Sequence, residues 1–596
     1  MTVYVAPVKD LMFVLEEVAG LDEIAALPGC DEVGSELVSA VLEEAGRLAE
    51  QVIAPLNKSS DQNGATYANY EVKTSPGFKD AYQQFAEGGW VGLTCDPDFG
   101  GQGLPHLLGI AVGEIWNSAS VAFTLCPMLT SGAIEALTHH ASDELKSRYL
   151  PKMISGEWTG TMNLTEPNAG SDLAAIRTKA VPAADGSNAY LISGTKIFIT
   201  YGEHDYTDNI IHLVLARLPD APAGVKGISL FVVPKFLVNS DGSPGVRNDA
   251  KCVSIEHKMG IHGSPTAVMA FGEETGAIGH LVGEANRGLE YMFTMMNNAR
   301  LSVGLEGVGI AERAYQQALG YAMERIQGKV VGREGTLPIA YHPDVRRMLM
   351  SMRSQTEAMR ALVLVAAASL DKAARCVDVE ARKHHQARID LLIPVAKAWC
   401  TEQANEIAYT AVQVHGGMGF IEETGAAQHQ RDARITTIYE GTTGIQANDL
   451  MGRKVARDGG VAAHALILEM VATATQAQAI TELSGFGEAL SGGVADLKTA
   501  TDWIVENYAS HTASTLIGAV HYLKLFGTVV GGWLLLRSAI VAQAKLASGS
   551  GDVVFYRQKI GTARFYLDQI LPLTSSLLMM LKRGPTSLEA ADLALS

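Results

Sequence analysis

A lone carboxylate in a short polar loop is the feature of this sequence that most suggests chemistry. Glu440 lies in RDARITTIYEGTTGIQ, residues 431–446, between an aromatic residue and a glycine, and two threonines follow that glycine. Glycine lets the backbone approach a ligand closely, and threonine supplies short hydrogen bonds. The loop therefore suits a carboxylate base held near a flat ligand, although the stretch alone is more typical of a turn at the end of a helix.

A second polar loop lies within MNLTEPNAGSDLAAIRTKA, residues 162–180. Its hydroxyl and backbone N–H groups could meet the edge of a ligand, and the apolar Met162 and Leu164 could lie under a ring. Taken alone, a turn of this composition is usually only a turn.

The composition limits the classes of protein to which the chain can belong. With 596 residues, of which 47% are hydrophobic and 19% charged, the chain is globular and too long for one core, so several domains are expected. The formal net charge of −17 argues against a surface that binds nucleic acid or anionic lipid, because either needs clustered Lys and Arg. The six cysteines form no Cys-x-x-Cys pair, which predicts buried thiols in a reducing compartment and no metal site.

Neither end of the chain indicates export or membrane insertion. The first twenty residues lack a basic region followed by a long apolar core, so a cytoplasmic location is expected. The apolar run from Leu525 to Leu536 lies between Lys524 and Arg537 and is short for a bilayer span. We expect a buried helix there and no integral membrane segment, with peripheral membrane contact left open.

Periodicity predicts a mainly α protein with a central antiparallel β domain. Helical spacing dominates residues 1–157, short β-branched and aromatic runs fill 158–280, and helical spacing returns in 281–458 and in an extension, 459–596. A Rossmann fold is disfavoured because no βαβ succession is visible. One long bundle helix is predicted from an apolar stripe made of Leu301, Leu305, Val308, Ala311, Tyr315, Leu319, Ala322 and Ile326.

Three motifs in order carry a resemblance to a known family. LTEPNAGSD, KIFITYG and IYEGTTGIQ, with an intervening helical stretch that ends in QVHGGMGF, resemble the acyl-CoA dehydrogenase family over roughly residues 30 to 455. The resemblance implies an N-terminal helical domain, a β domain and a four-helix domain around one FAD, with the acyl-CoA thioester between the flavin and the base. The two ends resemble the larger bacterial subgroup typified by 3-methylmercaptopropionyl-CoA dehydrogenase, which leaves either a fatty acyl-CoA or a 3-methylthiopropanoyl-CoA-like thioester as substrate.

The resemblance assigns cofactor roles to two stretches of the β domain. Thr165 is expected to meet the flavin pyrimidine and Ser171 the pyrophosphate side, while Phe198 packs on the flavin and Thr200 lies near its N5. The family usually has Trp where this chain has Phe198, a change that keeps a ring and removes an indole donor. The remaining implied FAD contacts beside them are Met162, Leu164 and Gly170.

A further set of residues is expected to bind the FAD held mainly by a neighbouring chain. These are Arg325, Gln327, Gln413, Gly416 and Gly417, and guanidinium and glycine N–H groups suit a pyrophosphate. The family pattern has an extra residue and a Phe after the arginine, which makes the match at Gln327 less direct. A homodimer or a dimer of dimers follows from this assignment.

The resemblance also gives Glu440 its role as the catalytic base. It implies that Glu440 removes the α proton of the thioester while a hydride leaves the β carbon for flavin N5, giving the trans-2-enoyl-CoA. Enclosure with an apolar acyl chain should raise the proton affinity of the carboxylate. In some branches the base instead occupies the position of Ala299, which cannot act. Thr442 is expected to meet the flavin or its diphosphate, and the implied substrate contacts are Ser171, Arg300, Tyr439 and Gly441.

Alternatives remain within and outside this reaction class. The expected electron acceptor is an electron-transfer flavoprotein, whereas an acyl-CoA oxidase would use oxygen instead. A relative that binds DNA is opposed by the acidic balance, and a catalytically silent acyl-CoA-binding protein is opposed by the intact Glu440 loop.

Overall fold

The computed structural model describes residues 3–185, 187–549 and 551–595, without the side chains at positions 294, 297, 585 and 587–595. Within these residues the element order is helices, then strands, then helices again, as predicted. The first eight helices are α1 Val8–Val14, α2 Leu21–Ala25, α3 Ser35–Leu48, α4 Ala54–Asn63, α5 Phe78–Glu87, α6 His106–Ala119, α7 Val121–His140 and α8 Asp143–Ile154. The later helices are α9 Gly288–Glu324, α10 Pro343–Arg375, α11 Val379–His415, α12 Ala426–Thr436, α13 Thr443–Asn448, α14 Val461–Gln478, α15 Ser484–Asn507, α16 Thr512–Leu516, α17 Ala519–Ala547, α18 Val553–Gln569 and α19 Leu573–Leu595.

The strands form one large sheet and two small hairpins. The hairpins pair β1 Thr66–Ala68 with β2 Glu71–Lys73, and β8 Phe236–Val238 with β9 Pro244–Arg247. The eight-stranded sheet has the order β10-β11-β5-β12-β7-β6-β3, with β4 paired to β5. Its strands are β3 Trp158–Asn163, β4 Lys179–Pro182, β5 Ala189–Thr200, β6 Asn209–Ala216, β7 Ser229–Pro234, β10 Ala250–Ile255, β11 Thr266–Phe271 and β12 Ala277–Leu281.

The sheet confirms the predicted β domain, with one parallel pair. Strands β3 and β6 run parallel, with Trp158 opposite Asn209, whereas the other pairs in the sheet are antiparallel. A parallel pair needs a long crossover connection, and the chain between β3 and β6, which contains β4 and β5, provides one. Every residue of β6 and β7 is buried, which explains why NIIHLVLA and SLFVVP are almost continuously apolar.

The chain folds into two compact units. One contains residues 1–46, 105–118 and 300–596, and the other contains residues 47–104 and 119–299. We call them the helical unit and the sheet unit. The four-part division of the chain proposed from the sequence remains a prediction.

Two helices of the helical unit approach each other closely along glycines. A Cβ atom on Gly304 of α9 would lie 2.7 Å from the carbonyl oxygen of Ala396 on α11, and one on Gly307 would lie 2.9 Å from that of Cys400. Only glycine allows this contact, which brings the side chains between these positions on α9 and α11 together. Helix α10 also packs against α11, and α17 of the C-terminal extension packs against both.

The predicted apolar stripe of α9 is wrong at its last residue. The helix ends at Glu324, and Ile326 is exposed in a short bridge with Pro338. The backbone N–H of Ile339 donates to the carbonyl oxygen of Arg325, so the returning chain replaces the next helical turn. Leu301, Leu305, Val308, Ala311 and Ala322 are buried as expected, and Tyr315 and Leu319 are half-buried.

Two helices, α7 and α17, are long and apolar enough to cross a membrane by length and composition. Of their most apolar windows, 78% and 89% is buried inside the protein, which fits core helices. The run Leu525–Leu536 lies in α17 and is fully buried, which confirms the buried helix predicted for a run that is short for a bilayer span. Five cysteines are buried as predicted, but Cys376 is only half-buried because it follows directly after the end of α10.

Candidate active site

The Glu440 loop connects α12 to α13. Tyr439 donates its backbone N–H to the carbonyl oxygen of Ile435 at 3.1 Å, and the chain then leaves the helix with positive φ values of 53° at Glu440 and 90° at Gly441. A positive φ is uncommon for a residue other than glycine and persists only where the surroundings enforce it. Gln446 contributes by donating from Nε2 to the carbonyl oxygen of Glu440 at 3.1 Å.

The far side of the loop begins a short helix. The Thr442 hydroxyl accepts a hydrogen bond from the Ile445 N–H at 3.3 Å and so caps α13. The Thr443 hydroxyl donates to Glu402 of α11 at 2.5 Å. Helix α13 packs against α17, so the C-terminal extension supports the segment that follows Glu440.

Burial and two nearby cations act in opposite directions on the Glu440 carboxyl. Glu440 is half-buried, and burial raises its pKa above the ordinary value, while Arg300 and Lys397 lower it. Arg300 is buried on α9, and its Nη1 lies 3.5 Å from Asp449 Oδ2. The predicted set Glu440, Arg300, Tyr439, Gly441 and Thr442 is therefore gathered in the helical unit around one carboxylate whose proton affinity is raised.

Three charged groups near Glu440 were missed by sequence reasoning. Lys397 of α11 is fully buried, and its Nζ donates to the carbonyl oxygen of Thr436 at 2.8 Å. Glu306 of α9 is buried and accepts a hydrogen bond from the Tyr439 hydroxyl, while burial raises the pKa of Glu306 to about 8. The third is Glu402. A signal was available, because Glu306 and Lys397 are lone charges in the apolar runs LSVGLEGVGI and LLIPVAKAWC.

In the sheet unit, a buried ion pair holds the loop that contains Thr165. Glu166 and Ala169 exchange backbone hydrogen bonds of 2.9 and 3.0 Å, which close a tight turn. The Glu166 carboxylate accepts from Lys196 Nζ at 2.8 Å and from Thr178. Burial would raise the pKa of Glu166, but Lys196 and these donors hold it below its ordinary value.

This anchor places the polar loop beside the strand that carries Phe198. The Ile197 N–H donates to the carbonyl oxygen of Thr165 at 2.9 Å, and Lys196 also donates to that of Leu164 at 3.1 Å. Met162 is buried at the end of β3, and Thr165 is half-buried. Gly170 and Ser171 are exposed on the same loop.

Phe198 has an unusual conformation for a strand residue. Its φ is 61°, and its side chain is 59% exposed. The register between β5 and β11 shifts at this point, because Ile199 faces Ala267 while Lys196 faces Met269, which is a β-bulge. Bulges often redirect a side chain next to a functional site, and here an aromatic ring is turned outward while Thr200 stays half-buried.

These residues of the sheet unit fit an isoalloxazine ring. An outward aromatic side chain, a neighbouring hydroxyl and an exposed Gly-Ser segment can stack on a flat ring and bond its polar edge. The seven residues assigned to the flavin all lie in the sheet unit, on β3, on the polar loop after it or on β5, and their roles toward FAD remain predictions: Met162, Leu164, Thr165, Gly170, Ser171, Phe198 and Thr200.

The residues assigned to a neighbour's cofactor lie on the surface of the helical unit. His415 stacks on Tyr321 with 4.5 Å between ring centroids, which brings the ends of α9 and α11 together. Arg325 and Gln327 follow the first helix. Gln413 lies in the last turn of the second helix, Gly416 and Gly417 follow it, and all five residues are exposed. Gly416 has a φ of 59°, and a Cβ atom on Gly416 or Gly417 would meet no neighbour. Phe420, which is 86% exposed, lies in the same segment.

The chain matches known protein families and individual relatives along most of its length. Four models match the chain in succession: the acyl-CoA dehydrogenase N-terminal domain at residues 35–157, its middle domain at 161–273, its C-terminal domain at 286–455, and an acetyl-CoA dehydrogenase C-terminal-like domain at 466–592. The chain is 49% identical to 3-methylmercaptopropionyl-CoA dehydrogenase of Ruegeria pomeroyi, over 95% of this chain and 96% of that protein. It is 35% identical to a butyryl-CoA dehydrogenase of Syntrophomonas wolfei, over 98% of each.

A solved structure agrees with these matches at the level of the fold. An acyl-CoA dehydrogenase from Bacillus anthracis, crystallised with FAD, has a TM-score of 0.75 at 19% identity, covering 96% of this chain and 91% of that one. The resemblance read from the three motifs is thus confirmed by matches along nearly the whole chain. The chain belongs to the acyl-CoA dehydrogenase family, whose members are FAD-dependent oxidoreductases.

Proposed function

We propose that this protein oxidises an acyl-CoA thioester to its trans-2-enoyl-CoA, with Glu440 as the base that removes the α proton. The observation that carries the proposal is the Glu440 loop, where an enforced positive φ presents a carboxylate whose pKa is raised by burial. A carboxylate of raised proton affinity is a stronger base and so suits abstraction of a weakly acidic proton. FAD, when bound, supplies the two-electron acceptor.

The other residues near Glu440 have supporting roles in this proposal. Arg300 and Lys397 favour the ionised carboxylate and so keep Glu440 able to accept a proton. Tyr439 and Gly441 flank the base and contact the substrate, with Ser171 as a further substrate contact. Thr442 contacts the flavin or its diphosphate in addition to capping α13.

The flavin is held, in this proposal, by the residues gathered in the sheet unit. Phe198 stacks on the ring, Thr165 and Thr200 bond its edge, and Ser171 with Gly170 binds the pyrophosphate side. Support comes from the β-bulge that turns Phe198 outward and from the ion pair that anchors the Thr165 loop. Met162 and Leu164 are the remaining proposed contacts with the flavin.

We infer a homodimer or a dimer of dimers in the cytoplasm, with an electron-transfer flavoprotein as electron acceptor. The exposed Arg325, Gln327, Gln413, Gly416 and Gly417 would then bind the FAD of a second copy. The support is their common position at the ends of α9 and α11 together with the exposed Phe420 beside them. Met418 and Ile421 of the same segment are exposed as well, and adjoining exposed apolar side chains suit a surface that a second subunit covers.

The substrate is a fatty acyl-CoA or a 3-methylthiopropanoyl-CoA-like thioester. The relative from Ruegeria pomeroyi supports the second choice by its name and its 49% identity, and the relative from Syntrophomonas wolfei supports short straight chains. The four-part division at residues 157, 280 and 458 is likewise proposed, and the limits of the four matching family models support it.

The proposal is tested by mixing the purified protein anaerobically with a panel of acyl-CoAs and recording the flavin absorbance. The panel holds 3-methylthiopropanoyl-CoA, butyryl-CoA and octanoyl-CoA, with free coenzyme A as the control. We expect the protein to carry non-covalent FAD that acid releases, and at least one thioester to bleach it. Absence of flavin, or no bleaching with any thioester, contradicts the proposal. Oxygen consumption compared with reduction of an electron-transfer flavoprotein then separates an oxidase from a dehydrogenase.

A further inference from the structure

A fully buried lysine holds the segment that leads into the Glu440 loop. Lys397 lies on α11, and its ammonium donates to the carbonyl oxygen of Thr436, the last residue of α12, at 2.8 Å. The final carbonyls of a helix have no partner within the helix, and a cation at this end is favourable. A buried ammonium is nevertheless costly, so its presence in an otherwise apolar run calls for a functional reason.

The groups around Lys397 are the ones that hold the loop. Its attractive neighbours are Glu440 of the loop, Glu306 of α9 and Glu402 of α11, and its repulsive neighbour is Arg300 of α9. Glu306 holds the Tyr439 hydroxyl, and Glu402 holds the Thr443 hydroxyl. The loop is thus attached at Thr436, Tyr439 and Thr443 to groups that surround one ammonium.

Packing of the backbone explains why these groups meet. On α9, Gly304 and Gly307 lie on either side of Glu306. Both glycines closely approach the backbone of α11 between Ala396 and Thr401. Lys397 lies within that stretch. A residue larger than glycine at either position would push the carboxylate and the ammonium apart.

We infer that Lys397 is a positioning residue for the proposed reaction. Its hydrogen bond to Thr436 fixes the start of the Glu440 loop, and its positive charge favours the ionised form of Glu440. This inference rests on the proposed function. Burial lowers the pKa of Lys397 to about 8, so the ammonium carries its charge below that pH. Asp449 pairs with Arg300, which partly offsets the repulsion between the two cations.

The test compares the pH profiles of anaerobic flavin reduction in matched lysine variants at saturating acyl-CoA. Lys397→Met removes the charge that stabilises ionised Glu440, so the acid limb should move upward by roughly one pH unit, the lower range for a nearby opposite charge. Lys397→Arg keeps the charge and should keep the parental acid limb, at a reduced plateau because the guanidinium is larger. The matched control is Lys559→Met, which removes another buried lysine of the helical unit, bonded to Asp10 and Glu357, and should leave the limb unchanged.

The outcomes separate this inference from the proposed function. A parental acid limb in Lys397→Met, or an equal shift in Lys559→Met, overturns the role of Lys397. If Lys397→Met does not fold with FAD, Lys397→Gln takes its place, and the same shift is expected because the charge is again removed. Flavin reduction that survives in Glu440→Gln would instead overturn the proposed function.

Discussion

Two buried clusters of charge in the helical unit have similar composition and opposite properties. The Arg360 cluster consists of Asp10, Glu114, Glu312, Glu357, Arg360 and Lys559. The Glu440 cluster consists of Arg300, Glu306, Lys397, Glu402 and Glu440. Each places carboxylates and cations at buried or half-buried positions, so burial penalises charge in both.

In the Arg360 cluster the ion pairs outweigh burial. Arg360 donates to Asp10 and Glu312 at 2.7 Å and also to Glu114, while Lys559 donates to Asp10 and Glu357 at 2.8 Å. Although burial opposes ionisation, these partners lower the pKa of Asp10 and raise that of Lys559. Glu114 is the exception, since burial raises its pKa to about 7.

In the Glu440 cluster burial outweighs the opposite charges. It raises the pKa of Glu440 and of Glu306, and it lowers the pKa of Arg300 and of Lys397. Hydrogen bonds there go largely to the backbone and to hydroxyl groups, as in the contact between Lys397 and Thr436. Groups with shifted proton affinity are typical of active sites, whereas saturated ion pairs are typical of structural joints. The comparison therefore separates a cluster that joins the two ends of the chain from one whose properties suit the proposed proton transfer.

Arg360→Met is expected to have the largest effect on stability. It leaves Glu114 and Glu312 without their cation, while Asp10 keeps Lys559, and breaking a buried pair in this way costs about 3–5 kcal/mol of unfolding free energy. Flavin reduction by the protein that remains folded should stay near the parental rate. The loss of unfolding free energy is measured by denaturation, monitored through flavin release and circular dichroism. The rate of flavin reduction is measured by stopped-flow mixing.

The control for Arg360→Met is Arg347→Met on the same helix. Arg347 pairs with Asp344, and the side chains are 56% and 73% exposed, so solvent screening limits the loss to below about 1 kcal/mol. Equal losses in the two variants would show that the Arg360 cluster is not a special joint.

Arg325→Ala tests the role of an exposed arginine, in contrast to the buried Arg360. Because Arg325 is proposed to bind the diphosphate of a neighbour's FAD, its loss should lower the FAD content of a dilute, gel-filtered sample while secondary structure stays unchanged. Arg346→Ala, another exposed arginine of the helical unit, should keep its FAD. Full FAD occupancy in Arg325→Ala would make the assignment between subunits wrong.

Glu306→Gln should change how stability depends on pH. Burial raises the pKa of Glu306 from 4.5 to about 8, so the folded protein retains a proton that the unfolded chain has released above pH 4.5. Its contribution to stability is thus fully present below pH 4.5 and is lost as the pH rises to about 8. Thermal midpoints measured between pH 5 and pH 8 should fall less steeply in Glu306→Gln than in the parent. Identical slopes would contradict the raised proton affinity of Glu306.

Much of the fold and of the candidate site could be predicted from sequence because the signals are local. Helical and strand periodicity lies within short windows, and the three motifs carry Thr165, Phe198 and Glu440 on contiguous stretches. The strained φ at Glu440 also has a local indication in the sequence, because the flexible Gly441 follows Glu440 directly.

The charge clusters could not be predicted because their members are far apart in the chain. Asp10 and Lys559 meet across 549 positions, and no pattern in either helix specifies the other. The role of Lys397 could not be predicted for the same reason, because it depends on contacts with a loop about forty residues later in the chain. The end of α9 before Ile326 depends on the returning chain at Pro338, which also is not visible in helical periodicity.

The most direct test of the account is the rate of anaerobic flavin reduction in Glu440→Gln, measured by stopped flow with a saturating acyl-CoA that reduces the parent. Gln keeps the size and hydrogen-bonding shape of the side chain and removes the charge that is proposed to take the α proton. We expect FAD binding and acyl-CoA affinity to survive while reduction slows by ~10²-fold or more, the lower range for loss of a positioned base. Near-parental reduction would contradict the account, because Ala299, which stands where other branches carry the base, cannot replace Glu440.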